Sequence, residues 1–308
     1  MAEQQGKLTL WQRIALEIVW LFCRLFALLP HFIRHGVFTN LTHFVLCYVL
    51  HYRRKVMMDN LRRSFPEKSE EELHKISVAA YRNLAEQIIN TISLAGVGVE
   101  TRIKRMNIIN SEETSRDAAG RSLIILTGHY GCWEGCGMIG IALPEQTFTA
   151  VYHQLSSVVF DEIMKRIRSI ENVELVEMKR IMRHFLNNKD KRPMSVGLIS
   201  DQNPTVRSNM PWYKFLHQWS AFFDGGETLA MRYKLPVYFF SQRRVKTGHY
   251  EAKFIKLYDG EEVVEPTTIT ERYVRLLEQE IQECPELWMW THRRWKHTPP
   301  AELLSQKI

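Results

Sequence analysis

The sequence predicts an α/β fold in which a central, mostly parallel sheet is flanked by helices and preceded by an N-terminal helical membrane anchor. Beyond Arg121, short runs rich in β-branched and aromatic residues alternate with amphipathic segments, the pattern of a parallel sheet with crossover helices. The most apolar window of the chain lies near the N terminus. We therefore divide the chain into an anchor and basic segment, residues 1–64, and an α/β domain, residues 65–308.

Individual elements follow from local patterns. Residues 65–96 form a predicted helix, with Ser69 as N-cap and Glu72 completing a capping box. Further helices are predicted over 156–170, 178–189, 222–234 and 268–283. Six apolar segments are predicted as strands: SLIILT (122–127), TFTAVYH (147–153), VELVE (173–177), SVGLIS (195–200), PVYFFSQR (236–243) and YEAKFIKLY (250–258).

Composition limits the function classes. At 45% hydrophobic and 24% charged residues, the chain is neither disordered nor a multi-span membrane protein. A net charge of +7 favours anionic partners. The five cysteines are an odd number without framework spacing, which indicates reduced thiols in a cytoplasmic setting rather than a secreted disulfide scaffold.

The apolar window 11–33 is a marginal membrane span. Glu17 and Arg24 would each cost roughly 2.5–3.5 kcal/mol near the centre of a spanning helix, which offsets the apolar contribution. Together with Arg13 and His31 they fall on one helical stripe, a geometry that suits a helix lying in the membrane interface. A buried amphipathic core helix is the alternative interpretation.

A second apolar run favours the membrane interpretation. FVLCYVLHY (44–52) leads directly into a group of basic residues: Arg53, Arg54, Lys55, Arg62 and Arg63. Basic residues beside an apolar anchor attract anionic headgroups by about 1 kcal/mol each. We therefore expect membrane association, although a charge run by itself is usually only a solvated helix face.

The segment TGHYGCWE carries the candidate catalytic pair, His129 and Glu134. His129 follows a predicted strand, and catalytic groups of α/β sheets gather at the carboxyl ends of strands. An i, i+5 pair cannot meet on a continuous helix, so a turn must separate the two residues, and Gly128 and Gly131 provide the backbone freedom. An imidazole oriented by a carboxylate can then remove a hydroxyl proton.

Three other interpretations of this segment are weaker. A zinc site at His129, Cys132 and Cys136, with distant Cys284, lacks the recurrent ligand spacing. GCGMIG (135–140) matches a dinucleotide fingerprint literally, but seven residues separate it from the strand. The third interpretation is a histidine that only caps a strand end. An isolated H-x4-E pair has this structural role more often than a catalytic one.

The order of motifs resembles the late acyltransferases of lipid A biosynthesis, the bacterial family that adds secondary acyl chains to Kdo-lipid IVA-type precursors. RRKVMMDNLRRSFPEKSEEE (53–72) resembles the family's basic segment, and His129 with Glu134 matches its H-x-G-x-W-E motif. Asp201 and Gln202 match a DQ pair after a strand. WMWTHRRWKH (288–297) is similar to the C-terminal motif, with Trp295 in place of Phe.

The chain also departs from the family pattern. His153 stands where the family has an arginine in a Y-R-P context, and Phe215, Leu216 and His217 replace an FFG sequence. Asp161 matches an aspartate in an N-P-x-x-D stretch, although a solvated residue in the first turn of a helix is an equal alternative. These differences leave the acceptor open.

The resemblance implies an acyltransferase of the glycerolipid-acyltransferase-like fold, at the cytoplasmic face of the bacterial inner membrane. Its donor would be an acyl carrier protein thioester and its acceptor a hydroxyl of an anionic glycolipid, without metal, cofactor, nucleic acid or covalent acyl-enzyme. The implied substrate-binding residues are His153, Asp161, Asp201, Gln202, His292 and Arg294, the last two as candidate phosphate contacts.

Two other function classes stay open at this point. The first is an O-acyltransferase of the same fold that acts on another membrane lipid, such as an amino-lipid, glycolipid or lysophospholipid. The lysophospholipid type predicts an N-H start and a downstream F-P-E-G-T block, whereas here His129 follows Gly128 and FPEK lies upstream. The second is a basic protein that binds the membrane surface without catalysis.

Overall fold

The computed structural model describes residues 8–205 and 210–304. Three short 3₁₀ segments, at Trp133–Met138, Met178–Arg180 and Pro285–Leu287, and two looser π-helical segments, at Ile33–Phe38 and Val45–Val49, accompany the α-helices. The α-helices of the described residues are α1 (Leu10–Leu28), α2 (Thr39–Phe44), α3 (Arg54–Ser64), α4 (Glu70–Leu94), α5 (Val99–Arg105), α6 (Ser111–Ala118), α7 (Ile139–Ala142), α8 (Val158–Arg168), α9 (Ile181–Asn188), α10 (Gly225–Tyr233), α11 (Thr268–Glu283) and α12 (Ala301–Leu304).

The predicted α/β class is confirmed by a mostly parallel seven-stranded sheet flanked by helices. Its order is β1-β9-β8-β2-β5-β3-β4, in which only β8 and β9 pair antiparallel. A separate hairpin pairs β6 with β7. The strands are β1 (Met106–Ile108), β2 (Leu123–Thr127), β3 (Thr147–Tyr152), β4 (Val173–Glu177), β5 (Met194–Ile199), β6 (Trp212–Phe215), β7 (Gln218–Ala221), β8 (Val237–Lys246) and β9 (His249–Tyr258).

The central strand β2 explains why the sheet needs helices on both faces. All five of its residues are buried. Ile124 and Leu126 point into one apolar cluster, and Leu123 and Ile125 point into another on the opposite face. This period of two is the geometry of a strand, and a strand that is buried on both faces reads as a continuous apolar run.

Most predicted elements are present with small shifts at their ends. All six predicted strands form, and the helix predicted over 268–283 has the bounds of α11. The capping box at the start of α4 is confirmed, since Ser69 accepts from the backbone of Glu72 and the Glu72 carboxylate accepts from the backbone of Ser69. The polar stretch before Arg121 holds α5, β1 and α6, which the sequence did not predict.

The N-terminal region differs from the single helix predicted over 11–33. Helix α1 ends at Leu28, because Leu29 is extended and Pro30 follows it. His31 therefore does not share a helix with Arg13. Among the described residues, no single helix is both long and apolar enough to cross a membrane, whereas Leu10–Leu28 and Ile33–Val49 together meet that length and composition, with a bend of 111° between them.

One face of α1 packs on the protein, and the other is exposed. Leu16, Cys23, Phe26 and Ala27 are buried. On the opposite face, large apolar side chains are more than 40% exposed: Leu10, Trp11, Ile14, Ile18, Leu21, Phe22, Leu25 and Leu28. A contiguous exposed apolar face of this kind marks an interaction surface.

Candidate active site

The candidate site lies where two parallel strands end side by side. β2 ends at Thr127, and His129 follows two residues later; β5 ends at Ile199, and Asp201 follows in the same way. Thr127 and Ile199 are register partners. Because the strands are parallel neighbours, their carboxyl ends bring His129 and Asp201 together although they lie 72 residues apart in the chain.

Two hydrogen bonds join His129 to Asp201. The imidazole Nδ1 lies 2.7 Å from Asp201 Oδ1, and the backbone N–H of His129 donates to Asp201 Oδ2 over 2.9 Å. The indole Nε1 of Trp288 also donates to Oδ2, over 2.8 Å. Asp201 is 2% exposed, so these donors replace water around its carboxylate.

These contacts keep Asp201 ionised. Burial alone would raise the pKa of its carboxyl, but the charge of His129 and the hydrogen bonds from His129 and Trp288 lower that pKa to about 2. An ionised carboxylate only accepts hydrogen bonds, so the imidazole proton sits on Nδ1. The lone pair of the histidine is therefore left on Nε2, the nitrogen that can take a proton from a substrate hydroxyl.

Two side chains flank that reactive nitrogen. The amide Nε2 of Gln202 lies 3.3 Å from His129 Nε2, within reach of a weak donor contact. The Trp133 ring meets the imidazole edge-on, with the ring centroids 5.6 Å apart. The imidazole is thus held by Asp201 on one side and packs against the Trp133 ring on another.

The turn that carries His129 is held by close packing. A methyl group on Gly128 would lie 2.8 Å from Leu277 Cδ1, so no larger residue fits unless the Leu277 side chain shifts. Gly131 adopts a positive φ of 59°, which glycine tolerates best. Backbone hydrogen bonds from Gly131 to Leu287 and from Met289 to His129, of 3.1 Å each, fasten the turn to the C-terminal segment.

Glu134 has a different partner from the one expected. Its carboxylate accepts two hydrogen bonds from the Arg168 guanidinium, of 2.6 and 2.8 Å, and the carboxylate that bonds the imidazole is that of Asp201. The positive-φ turn at Gly131 leads into the 3₁₀ segment Trp133–Met138, and there Glu134 meets the last residue of α8. The predicted turn between His129 and Glu134 is present, but the orienting hydrogen bond comes from the neighbouring strand end.

The predicted C-terminal residues occupy the interior beside this site. His292 is close enough to Asp201 and His129 to feel their charges, and burial lowers its pKa to about 4. Arg294 is 2% exposed, donates to the backbone oxygen of Ala221 over 2.6 Å and lies 4.4 Å from the Phe222 ring centroid. The sequence predicted it as a candidate phosphate contact, whereas its guanidinium is buried against the Phe215 and Phe222 rings.

His153 and Asp161 lie after β3 and at the start of α8. His153 is exposed, and its Nδ1 contacts the backbone oxygen of Gln154. Asp161 is 2% exposed, accepts from the backbone N–H of Leu155 over 2.8 Å and pairs with Lys165 at 2.8 Å. The alternative of a solvated residue in a first helical turn does not hold for Asp161, which ties the loop before α8 to the helix.

Cys132, close to His129 in sequence, is a poor nucleophile. Cys132 is buried, and its burial raises the pKa of the thiol to about 12. A thiol that stays protonated near neutral pH is a poor nucleophile. Within residues 8–205 and 210–304, no three His, Cys, Asp or Glu side chains are grouped so as to hold a metal ion.

Three residues of the site were not predicted from the sequence. Trp288 donates to Asp201, Arg168 binds Glu134, and Gln242 accepts from the Cys132 backbone while packing under Gly131. Each lies on a segment recognised as a helix, a strand or a motif, but none carried a local signal. Only the packing of distant segments places them here.

Comparison with known proteins gives one family. The model of the bacterial lipid A biosynthesis acyltransferases matches residues 2–297, nearly the whole chain. A comparison with curated proteins finds no matching relative.

Proposed function

Because this chain belongs to the bacterial lipid A biosynthesis acyltransferase family and is therefore an acyltransferase, we propose that it transfers a fatty acyl chain from an acyl carrier protein thioester to a hydroxyl of a Kdo-lipid IVA-type precursor. The observation that carries the mechanism is the pair of hydrogen bonds between His129 and the buried Asp201. This pair fixes an imidazole whose Nε2 can accept a proton at the carboxyl end of the central strand.

In the proposed reaction, His129 Nε2 removes the proton of the acceptor hydroxyl as its oxygen attacks the thioester carbonyl. The tetrahedral species collapses by breaking the carbon–sulfur bond, and the carrier thiol leaves with the proton that the imidazole returns. Asp201 stabilises the imidazolium between these steps. No acyl-enzyme forms, which agrees with the raised pKa of the Cys132 thiol.

We propose that Glu134 acts through Arg168. Their paired hydrogen bonds hold a guanidinium on the Glu134 side of the turn that carries His129. The side chain of Arg168 is 31% exposed, so it keeps access to solvent and to a bound substrate. A guanidinium held in this way can stabilise a developing oxyanion or a phosphate, and we assign it the part of the arginine that His153 replaces.

The proposed substrate-binding side chains differ in how they would act. Gln202 and His292 lie beside the imidazole, and His153 is exposed at the end of β3. Asp161 and Arg294 are buried, so they would act by holding the loops that carry exposed neighbours. The net charge of +7 suits both an acidic carrier protein and a phosphorylated acceptor.

Attachment to the cytoplasmic face of the inner membrane is also a proposal. The exposed apolar face of α1 supports it, and beyond the bend Phe32, Val37, Leu41 and Phe44 are also more than half exposed. An amphipathic helix of this type lies in the interface with its apolar side in the acyl region. We keep residues 1–64 as the anchoring unit and 65–308 as the catalytic unit in this proposal.

The test combines two measurements. Purified protein is incubated with an acyl carrier protein thioester and a lipid A precursor, and thiol release is followed together with mass spectrometry of the lipid. We expect one added acyl chain per precursor and one thiol per chain. Acylation of an amino-lipid or lysophospholipid in its place would move the proposal to another acceptor, and absence of thioester consumption with every acceptor would overturn it.

A further inference from the structure

A group of nitrogen-bearing side chains is buried next to the site, between the N-terminal region, α4 and α5. We call it the His–Arg cluster, and its members are His31, Arg34, His35, Asn90 and Arg105. The rings of His31 and His35 lie 4.3 Å apart. Arg34, Arg105 and His31 are all close enough to lower the pKa of His35, which burial and these charges bring to about 3.

Nitrogen atoms of the cluster lack hydrogen-bond partners. Arg34, His35, Asn90 and Arg105 are 5%, 3%, 4% and 9% exposed. The unpartnered buried nitrogens are Nε2 of His31, Nε and Nη1 of Arg34, both ring nitrogens of His35, Nδ2 of Asn90 and Nη1 of Arg105. A buried polar group without a partner costs about 1–3 kcal/mol, and more when it is charged. So many at one place indicate a binding site for an acceptor-rich group.

Neighbouring charges do not neutralise the cluster. Arg102, Lys246 and His249 add positive or neutral nitrogen groups around it. Two carboxylates near the cluster have other partners: Glu86 accepts from the backbone of Gly248 and from Tyr250 and pairs with Arg244 at 3.7 Å, and Glu134 binds Arg168. The local potential therefore favours an anion.

An apolar cavity adjoins the cluster. It is small and partly open to solvent, and Asn90 and Arg105 line it together with Leu94, Met106 and Met138. A methyl group built on Gly248, in the same wall, would lie 3.0 Å from His31 Nε2 and 3.2 Å from His35 Nε2.

We propose that the His–Arg cluster binds a phosphate group, and that the apolar part of the same ligand extends past the opening of the adjoining apolar cavity. Phosphate presents enough acceptor oxygens for two guanidinium groups, the Asn90 amide and the histidine rings at once. The cavity reaches Glu134, so the ligand would lie alongside the catalytic turn. Two sources share this chemistry: the phosphate of a lipid, and the phosphate of the pantetheine arm of the acyl donor.

Ligand binding tests the proposal without any need for activity, so its failure and that of the proposed acyl transfer are distinguishable. The thermal midpoint of the full chain is measured against inorganic phosphate, dihexanoyl phosphatidic acid and 4′-phosphopantetheine, with dihexanoylglycerol as the uncharged match. We expect a rise in the midpoint that saturates with the phosphate ligands and is absent with dihexanoylglycerol. A larger rise with dihexanoyl phosphatidic acid assigns the site to a lipid phosphate. A larger rise with 4′-phosphopantetheine assigns it to the phosphate of the acyl donor.

Variants separate binding from a structural role. R34M and R105M each remove a buried guanidinium, and R63M removes an exposed one from α3 as the matched control. We expect R34M and R105M to reduce affinity for phosphate at least tenfold while keeping the midpoint of the free protein within a few degrees, since the lost cation had an unpartnered nitrogen.

R63M should bind phosphate as wild type does. R105K, which keeps the charge but loses the fork of donors, should recover part of the affinity. Equal affinity in wild type, R34M and R105M would overturn the proposal, as would a wild-type midpoint that phosphate ligands do not move.

Discussion

His129 and Asp201 are joined twice, through the imidazole and through the backbone. The Nδ1–Oδ1 contact is 2.7 Å, and the N–H of the same histidine donates to the other carboxylate oxygen over 2.9 Å. A single buried carboxylate therefore sets both the tautomer of the ring and the position of the chain that carries it. Loss of the Asp201 charge should therefore disturb the orientation of the imidazole and also weaken the stabilisation of the imidazolium.

Asp201→Asn should be more harmful to the acyl-transfer rate than Glu134→Gln. An amide that donates to Nδ1 favours the tautomer with its proton on Nε2, which cannot accept from a hydroxyl. We expect kcat to fall roughly 10²–10⁴-fold for D201N, the range for loss of general-base function. The kcat of E134Q should fall less than that of D201N. R168Q should lose kcat to the same extent as E134Q, because the two residues act as a pair. Steady-state rates with near-wild-type KM for D201N would check this; equal loss in D201N and E134Q would return the orienting role to Glu134.

His129→Ala should abolish most of the activity without unfolding the protein. The general-base contribution predicts a loss of at least about 10²-fold in kcat. The His129 ring is only partly buried, with a side-chain exposure of 19%, so its removal leaves a solvent-accessible space. H74A is the comparison and should keep its activity, since His74 is exposed on α4 and has no part in the proposed site. Circular dichroism and thiol release measured together decide the matter, and an active H129A would refute the general-base assignment.

Glu280 should make folding stability fall as pH rises. Burial raises the pKa of its carboxyl from 4.5 to about 7, against the hydrogen bonds from Ser241 and Gln242 that lower it. The folded state therefore holds a proton that the unfolded state releases between pH 4.5 and 7, and stability declines across that window.

Glu280→Gln keeps an oxygen for both donors and has no charge to bury. We expect denaturant unfolding of E280Q to lose much of the pH dependence between 4.5 and 7, and the variant to gain on the order of 1–3 kcal/mol at pH 8. E271Q, at an exposed position of α11 whose charge does not contribute to the pKa of Glu280, is the control and should keep the wild-type profile. Identical profiles for E280Q and wild type would contradict the assignment.

Gly128→Ala should destabilise the protein through a specific clash. The added methyl would lie 2.8 Å from Leu277 Cδ1, so the buried Leu277 side chain, or the segments that carry it and Gly128, must shift. Overpacking of this kind costs about 1–3 kcal/mol. In G128A/L277A the obstructing side chain is gone. We therefore expect the double variant to lose less free energy of unfolding than the sum of the two single variants. Urea unfolding of the single and double variants measures it, and strictly additive losses would rule out the clash.

The exposed face of α1 should carry membrane binding. Ile18, Leu21 and Leu25 are 63%, 57% and 56% exposed, so their replacement by serine should leave the fold intact. We expect I18S/L21S/L25S to move from the vesicle-bound to the free fraction in flotation with anionic vesicles. V263S, at a residue that is 99% exposed outside this face, is the control. Unchanged flotation of the triple variant would remove α1 from the attachment.

The sequence by itself determined six of the strands, the main helices and the candidate catalytic histidine. Apolar runs such as 123–127 and the capping box at Ser69 are local patterns, and local hydrogen bonding and burial produce the elements that they predict. The motifs around His129 are local as well, which is why they pointed to the family. The short β1 and the hairpin β6–β7 lack such signals, because pairing with distant segments stabilises them.

Only the tertiary structure decided which carboxylate serves the histidine. Glu134 is near His129 in sequence, but the turn at Gly131 directs it to Arg168, whereas the parallel pairing of β2 and β5 brings Asp201 across 72 residues. Sheet order is a property of the whole chain that no local pattern encodes. The same holds for Arg294 and for the His–Arg cluster, whose burial depends on segments that are adjacent only after folding.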